Sequence, residues 1–139
     1  MRIFVAGATG VIGRRVVPRL IDAGHQVTGA ARTPANQATL DRMGAASARV
    51  DLFTPATLTE AVRGHDTVVN LATHIPPSSR ALLPGAWRET DRIRRVGAAN
   101  LMQAALAGGA MRFVHQDDDL VTGVEIFVDL VELVNHRHD

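Results

Sequence analysis

The chain has 139 residues, 46% of them hydrophobic, and a formal net charge of +1. This composition predicts a single domain, residues 1–139, and argues against disorder. With no cysteine, disulfides and cysteine-based metal or redox sites are excluded. The near-balanced charge argues against nucleic-acid binding, and no apolar run approaches the roughly 20 residues of a membrane span. We therefore expect a cytoplasmic domain with no affinity for nucleic acid or membranes.

Strand-like and helix-like patterns alternate through the first half of the chain. Pro18 lies inside the first helical pattern and predicts a kink, because proline removes a backbone hydrogen bond. Thr33 is followed by a proline and predicts a helix N-cap. The predicted elements are a strand at 3–5, a helix at 11–23, a strand at 26–31, a helix at 34–43 ended by Gly44, and a strand at 48–50.

The alternation continues in the second half. Thr54 precedes a proline and predicts another N-cap, with a helix that ends before Gly64. A strand at 66–72, a loop at 73–85, a helix at 86–107 and a strand at 112–115 follow. Strands separated by helices predict a parallel sheet with helices on both faces, and Val68, Val69 and Leu71 suit a strand buried on both sides.

The last segment, residues 115–139, differs in character. Apolar residues recur at helical spacing from Leu120 to Val134, after three aspartates and before a basic end, which favours a helix. Gly123 and the many β-branched residues favour a strand instead. Asp117, Asp118 and Asp119 are explained by a helix N-terminus without a metal.

The first strand runs directly into Gly7-Ala8-Thr9-Gly10-Val11-Ile12-Gly13, which opens the first helix. A dinucleotide-binding turn requires this strand-turn-helix context. Gly7 permits the tight turn, Gly10 lets the backbone approach a diphosphate, and Gly13 lets the helix pack close to the strand. The free N–H groups at the start of the helix would face the phosphates. A turn that serves packing alone is the alternative.

Residues 1 to about 114 resemble the short-chain dehydrogenase/reductase superfamily, and within it the extended or atypical NAD(P)-dependent epimerase/dehydratase type. The turn GATGVIG matches the superfamily's GxxGxxG motif, and Asp51-Leu52 looks like its adenine-contacting segment. Asn70-Leu71-Ala72-Thr73 is similar to the strand segment beneath the cofactor ribose. Residues 96–105 look like its fourth major helix, and Arg112-Phe113-Val114 like its fifth strand.

The resemblance implies a Rossmann-like, doubly wound α/β fold of about five parallel strands in the order 3-2-1-4-5, truncated relative to the superfamily. It also implies a dinucleotide as the ligand. The residues expected to bind it are Gly7, Thr9, Gly10, Val11, Ile12, Gly13, Arg14, Arg32, Asp51, Leu52, Leu71, Ala72 and Thr73.

The end of the second strand decides the choice of dinucleotide. An acidic residue there would bind a ribose 2′-OH, and a basic one would pair with a 2′-phosphate. The chain has Arg32 at this place, and Arg14 could join it, so NADP is favoured and NAD is the alternative. Both arginines could instead be ordinary surface charges.

The superfamily's catalytic groups are missing. It uses a Tyr-x-x-x-Lys pair with a Ser or Thr past the fifth strand, whereas this chain has no Tyr, all 15 of its basic residues are Arg, and Gln116-Asp117-Asp118 follows that strand. On the long helix Arg94 replaces the first family Asn, and Asn100 matches the second. His74 follows the fourth strand and His115 ends the fifth, and either is an alternative proton donor. We therefore assign no catalytic residue and no metal ligand.

These observations predict an NAD(P)-binding domain, similar to the N-terminal half of an epimerase or dehydratase, that binds NADP(H) without turnover. The alternatives are an active oxidoreductase or epimerase with a non-standard acid, a dinucleotide-sensing regulator and an inert gene remnant. The superfamily often dimerises through its fourth and fifth major helices, which leaves a homodimer open. Arg80, Arg88, Arg92, Arg94 and Arg95 are interpreted as a solvated helix face, and Trp87 as packing at the start of that helix.

Overall fold

The computed structural model of the chain describes residues 1–72, 82–86 and 88–115. Several predictions fall outside this part: the dinucleotide contact of Thr73, the proton-donor alternative at His74, and the packing of Trp87. The side chains of Arg80 and Arg94 and the whole of residues 116–139, with the three aspartates, are outside it as well.

The described residues form a five-stranded parallel sheet in the order β3-β2-β1-β4-β5, as predicted. Helices separate successive strands, which gives the expected doubly wound α/β architecture. The elements in chain order are β1 (Arg2–Ala6), α1 (Gly13–Asp22), β2 (Gln26–Ala30), α2 (Pro34–Met43), β3 (Ala46–Ala48), α3 (Pro55–Val62), β4 (Thr67–Asn70), α4 (Arg88–Arg92), a π-helical segment (Ile93–Gly97), α5 (Ala98–Ala107) and β5 (Arg112–His115).

Two hydrophobic clusters cover the two faces of the sheet. Alternate residues of each strand point to opposite faces, so neighbouring Val68 and Val69 enter different clusters, and both are fully buried. The first cluster joins the sheet to α1 and α2 through Ile3, Val5, Val17, Leu20, Leu40 and Val69. The second joins it to α3 and α5 through Phe4, Ala6, Leu58, Val62, Val68 and Leu101. The predicted burial of β4 on both sides is confirmed.

One local prediction is wrong and another is confirmed only in part. The third strand is Ala46–Ala48, not 48–50, because Ala46 pairs with Thr28 and Ala48 with Ala30, while Val50 is buried after the chain has left the sheet. Thr54 is at the N-cap position of α3, as predicted, but its side chain makes no capping hydrogen bond. Thr33, by contrast, caps α2 by accepting from the backbone N–H of Asn36. The same Thr-Pro pattern therefore has two outcomes.

Helix boundaries differ from the predictions where the turn or a π-helical segment intervenes. α1 begins at Gly13 because residues 11 and 12 still belong to the glycine turn, and it continues through Pro18 to Asp22. The predicted helix at 86–107 begins at Arg88 and changes to π-helical geometry between Ile93 and Gly97 before it continues as α5. Within the part of the chain described here, no helix combines the length and apolar character needed to cross a membrane.

Candidate functional site

A cavity of about 650 Å³ opens at the carboxyl ends of β1, β2 and β4. In open parallel sheets this edge is where ligands bind, at the point where the strand order reverses. The cavity brings together most of the residues that the sequence predicts for a dinucleotide: Gly7, Thr9, Gly10, Val11, Ile12, Arg32, Asp51, Leu52, Leu71 and Ala72. It also contains residues that were not predicted: Ala6, Ala30, Asn36, Val50, Phe53 and Ile93.

Gly7 and Gly13 are required by the fold itself. Gly7 has a φ of +76°, and a Cβ there would collide with the backbone of Leu71 and Ala72, which directly follow β4. A Cβ on Gly13 would collide with the carbonyl groups of Gly7 and Ala8. Gly13 does not line the cavity; it allows α1 to begin tightly against the turn. Both glycines thus hold the turn in shape.

Gly10 differs from these two glycines. A Cβ at this position would find only the carbonyl oxygen of Gly7, at 3.4 Å, which is an acceptable contact. Gly10 nevertheless lines the cavity. Among the residues that the structure describes there is therefore room for a methyl group at position 10, at a residue that lines the cavity. A glycine here fits a ligand that approaches the backbone closely, as the phosphates of a dinucleotide do.

The structure does not place Arg14 on the cavity. Its Nε donates a hydrogen bond to the carbonyl oxygen of Thr9 at 2.8 Å, which stabilises the turn. A second hydrogen bond within the turn runs from the backbone N–H of Gly10 to the carbonyl oxygen of Gly7, at 3.1 Å. Arg14 thus supports the shape of the turn in this structure.

Arg32 and Asn36 line the cavity near the end of β2. Thr33 lies between them as the N-cap of α2, and its Oγ1 accepts from the N–H of Asn36 at 3.2 Å. The cap fixes Asn36 in the first turn of the helix, next to the strand end that carries Arg32. The Thr-Pro cap signal was present in the sequence and could have directed attention to Asn36.

The loop after β3 forms another wall of the cavity. Asp51 accepts a hydrogen bond from the backbone N–H of Phe53 at 2.9 Å through its Oδ1, which closes a local turn. Asn100 on α5 donates from Nδ2 to the carbonyl of Leu52 at 2.8 Å. The loop is thus held both by its own turn and by a helix 48 residues further along the chain.

Phe53 and Ile93 are two apolar residues at this wall that the sequence did not predict to line the cavity. The guanidinium carbon of Arg92 lies 3.8 Å from the centroid of the Phe53 ring, a cation–π contact. Arg92 is exposed, as the interpretation of a solvated helix face required, but it is also packed on an aromatic ring. No local pattern could have revealed this contact, because it depends on how the helix docks against the loop.

A polar pair lies at the ends of β4 and β5. Buried Asn70 receives a hydrogen bond on Oδ1 from the backbone N–H of Ala72 at 3.1 Å. Its Nδ2 therefore faces Nδ1 of His115, at 2.9 Å, and donates to it. In the neutral imidazole this leaves the proton on Nε2, so His115 is set as a hydrogen-bond donor.

Comparisons with known proteins agree with this geometry. A family model described as NAD(P)H-binding matches residues 7–122. Over 120 residues the chain is 37% identical to a 3-diazoavenalumate denitrifying reductase of a Streptomyces species, covering 84% of this chain and 37% of that protein. Over 114 residues it is 31% identical to a photosystem II assembly factor of Synechocystis, covering 82% of this chain and 32% of that protein.

In structure the chain is similar to a UDP-glucose-4-epimerase from Stenotrophomonas maltophila with bound NAD. The TM-score is 0.72 at 18% identity, covering 87% of this chain and 38% of that one. The chain spans about a third of the length of the curated relatives named above. By sequence the chain belongs to the NAD(P)H-binding family, and its five-stranded parallel sheet has the Rossmann-like fold of that structural neighbour.

Proposed function

We propose that this chain binds NADP(H) in the cavity at the carboxyl edge of the sheet and does not turn it over by itself. The observation that carries the proposal is Gly10. It is a glycine whose backbone leaves room for a Cβ among the described residues, and it lines the cavity. The diphosphate would lie over the turn from Gly7 to Ile12, with Asp51 and Leu52 at the adenine and Leu71 to Thr73 near the nicotinamide ribose.

The preference for NADP over NAD rests on Arg32. It lines the cavity at the end of β2, where the adenosine ribose of a dinucleotide lies in this class of fold. A guanidinium at this place attracts a 2′-phosphate by a charge-assisted hydrogen bond. Asn36 lines the same part of the cavity and adds a neutral amide that can donate to a phosphate oxygen.

Binding without turnover is supported by the absence of Tyr and Lys from the sequence. A chain without these residue types cannot supply the superfamily's usual proton donor. The names of the relatives do not decide the matter, because one is a reductase and the other an assembly factor. If the chain acts as a reductase, another residue must donate the proton. An assembly or sensing role needs no proton donor.

A second candidate is turnover with His115 as the proton donor. It is favoured by the contact from Asn70 that leaves a donor proton on Nε2 at the same edge of the sheet as the cavity. The test is NADPH consumption with a panel of carbonyl compounds and nucleotide sugars. A rate that is lost in His115→Phe would support this candidate and overturn binding without turnover.

Thermal unfolding in the presence of NADPH and NADH tests the main proposal. Ligand at 100 times its Kd stabilises the fold by about 2.7 kcal/mol, which is several degrees in Tm for a domain of this size. We expect NADPH to raise the Tm more than NADH does. Gly10→Ala should keep the Tm of the free protein and lose the shift. A Tm that neither dinucleotide raises would disprove the proposal.

We also propose that the chain forms a homodimer through the outer face of its long helical region. Val96, Met102 and Leu106 are exposed there by 48%, 47% and 74%, and exposed apolar side chains on a helix can form an interface with a partner. Light scattering should give twice the mass of the chain, and Leu106→Glu should give a monomer. A mass that changes with NADPH would favour the sensing role.

A further inference from the structure

Two contacts and one close approach join residues 51–53 of the β3–α3 loop to the helical region that begins at Arg88. Asn100 holds the carbonyl of Leu52, and Arg92 covers the ring of Phe53. Between these two contacts, the π-helical segment ends at Gly97, where an added Cβ would come within 3.4 Å of the Leu52 side chain. π-helical turns within helices often mark functional sites, and here the segment begins with Ile93, which lines the cavity.

Arg92 and Phe53 have different relations to the cavity. Phe53 is among the described residues that line the cavity and Arg92 is not, so we expect the guanidinium to act on a ligand through the ring that it covers. A cation over one face of an aromatic ring is attracted by the quadrupole of the ring, and this attraction restrains the aromatic side chain. A ring that is already fixed loses less conformational entropy when a ligand packs on it.

The chemistry of this wall suits a flat heterocycle that carries an amino group. Phe53 and Ile93 supply an apolar surface, and aromatic side chains stack on nucleobases in a sequence-tolerant manner. Asp51 supplies a carboxylate whose Oδ1 accepts one backbone N–H, and a carboxylate retains further lone pairs for an exocyclic amine. Adenine has both properties.

We infer, on the basis of the proposed NADP(H) binding, that Phe53 and Ile93 hold the adenine of the dinucleotide, and that Arg92 is a positioning residue that acts through Phe53. The π-helical segment, with Arg92 just before it and Ile93 at its start, brings both residues to the loop. Arg92 thereby strengthens binding of the adenosine half without touching the ligand.

The test compares the affinities of five full-length proteins for NADPH and for adenosine 2′,5′-bisphosphate, a probe that carries only the adenosine half. They are the wild type, Arg92→Gln, Arg92→Lys, Phe53→Leu and the control Arg95→Gln. Arg95 is an exposed arginine of the same helical region, so its replacement removes the same charge without the ring contact. The difference between the two Gln variants therefore isolates the contact with Phe53.

We expect Arg92→Gln to bind both ligands about two- to fivefold more weakly than Arg95→Gln, since cation–π contacts at exposed sites are of this size. Arg92→Lys should stay within about twofold of the wild type, because an ammonium also interacts with the ring. Phe53→Leu should weaken the binding of both ligands about tenfold, because the stacking of the adenine on the ring is lost. If Phe53→Leu does not fold, the Arg92 variants decide alone.

Three results would overturn the inference while leaving the proposed function intact. The first is equal ligand affinity in Arg92→Gln and Arg95→Gln, and the second is a loss of affinity in Arg92→Gln that is equally large in Arg92→Lys. The third is a loss of affinity for NADPH with no loss for adenosine 2′,5′-bisphosphate. A wild type that binds neither ligand would instead overturn the proposed function, and the role of Arg92 with it.

Discussion

The two ends of the cavity are built in different ways. At the glycine turn the constraints are local: Gly7 and Gly13 are needed because their own backbone neighbours and the end of β4 leave no room for a side chain. At the loop after β3 the constraints come from distant parts of the chain, through Asn100 and Arg92. The turn is therefore specified by residue type at short spacing, and the loop by the docking of a helix.

The largest effect is expected at the glycine turn. Gly7→Ala places a Cβ against the backbone of Leu71 and Ala72 in a residue with positive φ, and should lower the free energy of unfolding by about 3 kcal/mol. Gly10→Ala is the control and should change it by less than about 1 kcal/mol. Urea unfolding measures both. Equal losses in the two variants would refute the distinction between a glycine kept for the fold and one kept for a ligand.

The next effect concerns affinity at the end of β2. Arg32→Ala should weaken NADPH binding about 10- to 100-fold and leave NADH almost unchanged, because a charge-assisted hydrogen bond to the 2′-phosphate is lost. Calorimetric titration with both dinucleotides measures this. Arg42→Ala, at the exposed far end of α2, is the charge-matched control. An equal loss for NADH would contradict the phosphate assignment.

A smaller effect on stability is expected where the helix holds the loop. Asn100→Ala removes the donor to the carbonyl of Leu52 and should lower the free energy of unfolding by about 1–2 kcal/mol. Gln103→Ala, at an exposed position of the same helix, should have almost no effect. Denaturant unfolding of the two variants checks the difference. If Asn100→Ala is as stable as the control, the loop does not depend on the helix.

The smallest effect separates the two Thr-Pro sites. Thr33→Ala removes the cap on the N–H of Asn36 and should cost about 1 kcal/mol, whereas Thr54→Ala should cost a few tenths at most because no capping hydrogen bond is lost. Thermal unfolding of both proteins measures the difference. Matching losses would mean that Thr54 caps α3 in solution after all.

Much of the site could be predicted because it lies at the ends of elements that the sequence marks clearly. Arg32, Asp51 and Leu71 all follow apolar runs, and the carboxyl ends of parallel strands meet at one edge of the sheet. Ile93 lies in a run of arginines with the pattern of an ordinary surface helix, so nothing local marks it as a cavity residue. Arg14 directly follows the turn, where an arginine could bind a phosphate, yet its Nε donates a hydrogen bond to the carbonyl oxygen of Thr9.

By itself, the amino-acid sequence determined the alternation of strands and helices, the parallel sheet and the glycine turn. The physical reason is that hydrophobic periodicity and the freedom of glycine act within a few residues. Only the tertiary structure decided the position of β3, the π-helical segment, the contact of Arg92 with Phe53 and the pairing of Asn70 with His115. These depend on strand register and helix docking, which bring together residues far apart in the chain.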